Sequence, residues 1–250
     1  MCIRDRRIFT PATELPFAGH PVVGTHWVLA HLGRVALDEP LTEVRLELSV
    51  GVLPADLHVV DGQVSRVVMT QDIPTFHATL EDVYDLAAGL NLAPAAITET
   101  GFPVQIVSTG LPHIIVPVRS LSEVQALRGG QLDLAALNRV TTALGAGCVM
   151  VFATETERPE STVHVRMFAP AYGITEDPAT GSGNGALGAY LVRHRVVDVT
   201  EPTTHIVSEQ GLEIGRPSTL TIEVDGAGRN ITAVRVGGQA VMMAEATIRF

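Results

Sequence analysis

The 250 residues are 46% hydrophobic and 18% charged, a composition that predicts a globular chain with a full core and excludes extensive disorder. The net charge is -10, and no basic cluster is longer than residues 4–7, so nucleic acid is a poor partner. No run approaches the roughly 18 consecutive apolar residues of a membrane span, and no apolar signal segment follows residues 1–7. We therefore expect a cytoplasmic protein that binds neither nucleic acid nor membrane.

Two residue types exclude whole classes of chemistry. All 17 basic residues are Arg, so the chain can form no lysine Schiff base and has no phosphate-binding Walker lysine. Cys2 and Cys148 are the two cysteines, and their separation supports neither a disulfide framework nor a thiolate zinc site. The nine histidines lack metal-ligand spacing, the nearest pair being His26 and His31. The sequence therefore predicts no metal site.

Short β-branched runs bounded by Gly, Pro and Asp predict most of the secondary structure as strands. In chain order these predicted strands are 43–50, 57–60, 64–70, 104–108, 113–118, 149–153, 163–168, 203–208, 218–224, 231–236 and 240–250. Helical periodicity predicts helices at 21–32, 80–90, around 121–127, 132–144 and 185–195. Because strand residues outnumber helical ones, the predicted fold class is α+β.

An internal repeat indicates two related halves. Residues 7–11 (RIFTP) are echoed by residues 166–170 (RMFAP), and residues 14–20 (ELPFAGH) by residues 176–182 (EDPATGS). Each copy runs into an apolar predicted helix, so the repeated unit is strand, loop and helix start.

The repeat divides the chain into an N-terminal half-domain, residues 1–102, and a C-terminal half-domain, residues 103–250, with an active-site cleft between them. A long stretch of strand and helix pattern, 104–165, precedes the second copy, whereas only residues 1–6 precede the first. We therefore expect the first half-domain to be truncated at its start. A genuinely shorter first domain is the alternative.

The repeated loops place a polar residue where each chain segment enters its helix. His20 stands directly before Pro21, and Ser182 is the predicted N-cap of the second helix. Two helix starts facing one cleft would present unpaired N–H groups and positive dipole ends, which suit a small carboxylate or an enolate-like intermediate. Asp177 could instead belong to an acidic turn with Glu176, and His20 could be structural. Their places in the two copies of the duplicated loop, at one shared cleft, favour the functional interpretation.

These loops also carry a family resemblance. Residues 7–24 (RIFTPATELPFAGHPVVG) and 166–188 (RMFAPAYGITEDPATGSGNGALG) resemble the two signature loops of the PhzF-like isomerase family of phenazine biosynthesis. Residues 108–112 (STGLP) and 211–218 (GLEIGRPS) also resemble family segments. The resemblance implies the diaminopimelate-epimerase-like fold: two pseudo-symmetric half-domains, each a mainly antiparallel β-sheet wrapped around a central helix. It further implies a homodimer that uses no cofactor.

The resemblance also implies roles for particular residues. By motif position, Asp177 and His20 match residues that handle or relay protons. The positions that match substrate-binding residues are Gly19, Thr180, Gly181 and Ser182. The implied reaction is an isomerisation by proton transfer on a small unsaturated amino or hydroxy carboxylic acid, as in the isomerisation of trans-2,3-dihydro-3-hydroxyanthranilate.

The sequence departs from the family pattern at one important position. The family's principal acid/base is a Glu in a Ser-Glu-Ser/Thr-like segment upstream of the first loop, and this sequence has no such segment there. Glu99 and Glu155 stand in Thr-Glu-Thr contexts elsewhere in the chain, so the role is not transferred to them. The alternative is therefore a catalytically incomplete small-carboxylate-binding protein. Racemisation by paired thiols is disfavoured because neither loop contains Cys.

Overall fold

The computed structural model describes residues 2–3, 7–9, 14–15, 19–48, 51–127 and 132–247, and strand exceeds helix among them. The strands are β1 Cys2–Ile3, β2 Ile8–Phe9, β3 Glu14–Leu15, β4 Leu41–Leu48, β5 Gly51–Val60, β6 Gln63–Thr70, β7 Thr75–Leu80, β8 Val104–Ser108, β9 Pro112–Pro117, β10 Cys148–Ala153, β11 Val163–Ala169, β12 Ile174–Asp177, β13 Thr203–Gln210, β14 Ser218–Ala227 and β15 Asn230–Gly238. The helices are α1 Gly19–His31, α2 Tyr84–Leu90, α3 Pro94–Thr98, α4 Leu121–Gln125, α5 Leu134–Ala143 and α6 Gly181–Arg193. The predicted α+β class is confirmed.

One long sheet connects the two halves of the molecule. Within the described ranges its strand order is β1-β4-β5-β6-β15-β14-β13-β11-β10-β9-β8-β7, and β12 pairs with β11. Most neighbours are antiparallel, whereas β1 with β4, β9 with β10 and β11 with β13 are parallel. Because β15 pairs with β6, the last described strand of the chain joins the sheet of the first half to that of the second.

Each half of this sheet packs on a central helix, so the fold has the predicted pseudo-symmetry. Helix α1 lies against β6, and α6 lies against β8, β9, β14 and β15. Strand β7 and helices α2 and α3 belong in space to the second half, where Leu86, Leu90 and Ile97 share a core with Ile114 and Val116. The exact boundary of the half-domains, placed by the repeat at residue 102, stays a prediction.

The two central helices differ in how far the protein encloses them. Every residue of α6 from Gly181 to Val192 is buried, which agrees with its apolar composition on all faces. Helix α1 buries one stripe, made of Gly19, Val22, His26 and Ala30. The second half-domain therefore holds the larger core.

Both central helices begin earlier than predicted, and the N-cap assignment of Ser182 was wrong. Helix α6 begins at Gly181 instead of residue 185, so Ser182 lies inside the first turn and Thr180 takes the N-cap position. Glycine disfavours helix, and the run GSGNG was therefore predicted as loop. Packing overrides this preference: a Cβ on Gly183 would lie 3.0 Å from Met150 Sδ, and one on Gly185 would collide with the Gln71 amide.

The predicted strand at 240–250 was also wrong over its described part. Residues 239–247 form neither strand nor helix, and 248–250 lie outside the described residues, as do 49 and 50 of the first predicted strand. The preceding strand, β15, already has β14 and β6 on its two edges, so the alternating apolar pattern finds no adjacent edge to pair with. Val241 and Met243 are consequently 73% and 86% exposed.

The internal repeat is visible in side-chain contacts as well as in element order. In the first copy, Arg7 donates two hydrogen bonds to Glu14 across β2 and β3, at 2.9 and 2.8 Å. In the second copy, Arg166 donates two to Glu176 across β11 and β12, at 2.9 and 2.7 Å. Each Arg also lies over the ring of the Phe two residues further on, at 4.8 and 5.3 Å from its centroid. The same local structure therefore precedes both central helices.

A buried histidine joins two carboxylates at the edge of the second core. His164 Nδ1 donates to Glu209 Oε1 at 2.8 Å, and Nε2 donates to Glu213 Oε1 at 2.7 Å. Burial alone would lower the pKa of His164, but the hydrogen bonds to Glu213 and Glu209 outweigh it and raise this pKa. Burial likewise opposes ionisation of both glutamates, yet their pKa values are lowered, with the hydrogen bond from His164 the largest lowering cause. The cluster is therefore an imidazolium between two carboxylates.

This arrangement predicts a pH-dependent stability that His164→Gln should change. A raised folded-state pKa gives stability that is complete below the ordinary histidine pKa, about 6.5, and is lost as pH rises through the folded-state value. We expect His164→Gln to lower the free energy of unfolding by about 3–5 kcal/mol at pH 6, and by less at pH 9. Urea unfolding of the wild type, His164→Gln and the exposed control His205→Gln across this range measures the difference. An equal loss at both pH values would contradict the imidazolium assignment.

Candidate active site

The two central helices meet at their first residues. A Cβ on Gly181 would lie 2.6 Å from Gly19 Cα, and a Cβ on Gly19 would collide with the Gly181 backbone. Neither position can carry a side chain without displacing the opposite main chain. This contact brings two helix N-termini together, and their unpaired N–H groups and positive dipole ends form a favourable environment for an anion.

His20 and Asp177 lie together beside this contact. His20 Nδ1 is 3.9 Å from Asp177 Oδ2 and 2.9 Å from the Ala179 carbonyl oxygen. A carbonyl oxygen only accepts hydrogen bonds, so Nδ1 of the neutral imidazole carries the hydrogen and Nε2 is its basic nitrogen. The His20 side chain is 52% exposed and that of Asp177 is 12% exposed, so His20 lies at the surface and Asp177 mostly in the interior.

The carboxylate of Asp177 is oriented by a buried network of polar side chains. Thr180 Oγ1 donates to Asp177 Oδ2 at 2.6 Å. Gln210 Nε2 donates to Thr180 Oγ1 at 2.9 Å and to the Asp177 carbonyl at 2.6 Å. Gln210 Oε1 in turn accepts from the Thr180 N–H at 3.1 Å and from Asn184 Nδ2 at 2.9 Å. This amide thereby fixes the loop between β12 and α6 on both sides.

A second glutamine fixes the start of α6 from the first half. Gln71, directly after β6, donates from Nε2 to the Gly181 carbonyl at 2.9 Å, and its Oε1 accepts from Thr109 Oγ1 at 2.5 Å. Sequence reasoning missed both glutamines because a buried, fully paired Gln leaves no periodic or spacing signal. Thr109 could have been predicted from the sequence, since it lies in the family-like segment STGLP.

All six sequence-predicted site residues line one small cavity of about 50 Å³. These residues are Gly19, His20, Asp177, Thr180, Gly181 and Ser182. The remaining wall is formed by Leu111, His113, Cys148, Met167, Ala169, Tyr172 and Ile174. Gly19, His20 and Gly181 also line a more open cleft of about 370 Å³, so the two spaces share a wall at the helix contact.

Asp177 is the one carboxylate among the described residues of the small cavity. Glu99 instead pairs with Arg119, and Glu155 accepts the Leu121 N–H at 2.9 Å. Neither glutamate from the Thr-Glu-Thr contexts lines the cavity, which agrees with withholding the acid/base role from them.

The one thiol in the cavity wall is a poor nucleophile. Cys148 lies on β10, outside both loops, and burial together with the nearby negative charge of Asp177 raises its pKa to about 12. The thiol therefore stays protonated at neutral pH. This observation further disfavours paired-thiol racemisation.

Two features that the described ranges lack bear on other classes of function. No group of three or more His, Cys, Asp or Glu side chains there is arranged to hold a metal ion. None of the helices in those ranges is both long and apolar enough to cross a membrane.

The facing helix starts and the two half-sheets define a diaminopimelate-epimerase-like fold, and comparisons with known proteins agree. The sequence model of the phenazine biosynthesis-like proteins (PhzC-PhzF) matches residues 5–246. Trans-2,3-dihydro-3-hydroxyanthranilate isomerase of Pseudomonas fluorescens is 35% identical over 243 residues, which cover 97% of this chain and 78% of that protein. The protein of that name from Pseudomonas aeruginosa is 34% identical over 241 residues, covering 96% and 77%.

A solved structure supports the same assignment. The PhzF-family phenazine biosynthesis protein of Bacillus anthracis superposes with a TM-score of 0.80 at 25% identity, covering 93% of this chain and 76% of that one. The chain therefore belongs to the PhzF-like family of phenazine biosynthesis-like proteins, and it is an isomerase. The predicted family and enzyme class are confirmed.

The contact between the helix starts makes a direct prediction for two glycines of α1. We expect Gly19→Ala to lower the free energy of unfolding by about 1–3 kcal/mol, because its methyl group meets backbone that cannot move aside. Gly24→Ala is the matched control, since no described residue lies within 4 Å of its Cβ position, and it should stabilise the helix by about 0.5–1 kcal/mol. Urea unfolding followed by circular dichroism measures both. Equal effects of the two substitutions would contradict the contact.

Proposed function

We propose that the chain is a cofactor-independent isomerase that moves a proton between carbon atoms of a small unsaturated amino or hydroxy carboxylic acid. The observation that carries this proposal is the position of Asp177 and His20, 3.9 Å apart beside two facing helix N-termini. The relatives named trans-2,3-dihydro-3-hydroxyanthranilate isomerase support that compound as the first substrate to test.

The helix starts supply the binding energy for the substrate's carboxylate. The first residues of each helix, Gly19 with His20 and Gly181 with Ser182, contribute N–H groups that lack intrahelical acceptors. The Ser182 hydroxyl lies in the same cavity wall and adds a further donor. As the substrate loses a proton, negative charge spreads into its carboxylate, so the same groups stabilise the intermediate more strongly than the substrate.

Asp177 and His20 divide the proton transfer. The ionised Asp177 carboxylate, held by Thr180, removes a proton from one substrate carbon, and the electron pair of that C–H bond shifts the neighbouring double bond. The protonated carboxyl exchanges its proton with solvent during the lifetime of the intermediate and then delivers a proton to the second carbon. His20, whose Nδ1 is fixed by the Ala179 carbonyl, relays protons through Nε2 to heteroatoms of the substrate or to solvent. Because substrate and product have the same oxidation state, this reaction needs no redox cofactor.

Solvent deuterium exchange tests the proposal. Turnover of trans-2,3-dihydro-3-hydroxyanthranilate in D₂O should place deuterium on carbon, detected by mass spectrometry. Asp177→Asn should lower this rate by about 10²–10⁴-fold, because the amide cannot take up the proton. Asp198→Asn is the matched control, since Asp198 is exposed beyond the end of α6, and it should exchange at the wild-type rate.

The same experiment separates the isomerase from the binding-protein alternative. If the wild type binds the acid but incorporates no deuterium, and Asp177→Asn changes only affinity, the site is a carboxylate-binding cleft and the proposed function is wrong.

A further inference from the structure

A buried histidine that the proposed mechanism does not use lies in the wall of the same cavity. His113 begins β9's buried run and is fully buried. Its Nδ1 lies 2.8 Å from the Leu111 carbonyl oxygen, so Nδ1 carries the hydrogen and donates it. Burial lowers the pKa of His113 to about 4, which keeps the ring neutral at physiological pH. Nε2 is consequently a bare hydrogen-bond acceptor.

No described residue donates a hydrogen bond to this nitrogen. His113 Nε2 is inaccessible to solvent and unpaired, whereas the buried Gln210 and Gln71 amides nearby are paired on both sides. Buried acceptors almost always have a donor, because leaving one unpaired forfeits the hydrogen bond it made with water. The unpaired Nε2 therefore points to a donor that arrives with a ligand.

The position of Nε2 shows where such a donor would lie. A Cβ on Gly183, in the first turn of α6, would be only 3.1 Å from Nε2, so this nitrogen lies against the start of α6, where only a glycine leaves room for the imidazole. His113 shares the 50 Å³ cavity with Asp177 and Ser182. By the same measure one water molecule needs roughly 10–15 Å³, so the cavity has room for an amino or hydroxyl group.

We propose that His113 determines substrate specificity by accepting, at Nε2, a hydrogen bond from the amino or hydroxyl substituent of the substrate. The inference rests on the proposed function, because it assumes that the acid binds with its carboxylate at the helix starts. The ring of the substrate then lies between Asp177 and His20, and one donor substituent is directed at His113. Acids without a donor substituent leave Nε2 unpaired and bind more weakly.

Binding of two stable acids to three proteins tests this role. 3-Hydroxyanthranilate carries a carboxylate and two donor substituents, whereas benzoate carries the carboxylate alone. In the wild type, calorimetry should give a lower Kd for 3-hydroxyanthranilate. In His113→Phe, the Kd of benzoate should stay unchanged and the Kd of 3-hydroxyanthranilate should rise. The ratio of the benzoate Kd to the 3-hydroxyanthranilate Kd should therefore fall by about 3- to 10-fold, which corresponds to the loss of one neutral hydrogen bond. His113→Gln can present Oε1 near the position of Nε2 and should retain most of the ratio.

A measurement on the wild type keeps the test independent of whether the variants fold. In protein labelled with ¹⁵N-histidine, the resonance of the bare Nε2 should move upfield when 3-hydroxyanthranilate binds and stay in place when benzoate binds. If that resonance does not respond to 3-hydroxyanthranilate, or the Kd ratio is the same in His113→Phe as in the wild type, the role of His113 is wrong while carboxylate binding stands. If the wild type binds neither acid, the proposed function fails and this inference fails with it.

Discussion

Gly19 and Gly181 approach so closely that neither can carry a side chain, and this contact sets the N-termini of α1 and α6 side by side. One glycine belongs to each copy of the repeated unit, so the contact lies where the two pseudo-symmetric halves meet. His20 directly follows Gly19, and Asp177 lies at the end of β12, just before the short loop that leads to Gly181. The convergence of two helix dipoles, a carboxylate and an imidazole therefore follows from a single backbone contact.

The buried polar groups around this contact convert a symmetric scaffold into an asymmetric site. Gln71 ties the start of α6 to the first half, and Gln210 ties the preceding loop to β13. The corresponding Arg–Glu pairs show that both loops have the same local structure, yet the pair in the second copy is buried and the pair in the first is exposed. The loop that holds Asp177 is thus fixed by charged and amide groups in the interior, while His20 stays at the surface. Such a division suits one group that works on carbon and another that exchanges protons with water.

The repeat explains why the sequence predicted the site better than it predicted the boundaries of elements. The alignment of the repeat pairs His20 with Ser182 and Asp177 with Leu15, so each copy of the loop carries one of the two candidate residues, and pseudo-symmetry then placed both loops at one cleft. The glycine run before residue 185 was predicted as loop because its helical state depends on close packing of Gly181 against Gly19 and of Gly183 against Met150, which lie far away in the chain. Residues 240–247 have a strand pattern, but pairing depends on a free neighbouring edge. Gln210 and His113 left no signal because their importance comes from partners, or an unpaired atom, created only by folding.

The most direct test of the account is a crystal structure of the chain with a small aromatic acid such as 3-hydroxyanthranilate. We expect the carboxylate to lie at the N–H groups that begin α1 and α6, with Asp177 and His20 flanking the carbon atoms of the ring. An acid bound away from these helix starts, or a cleft that stays empty at saturating acid while Gly19 and Gly181 keep their contact, would contradict it.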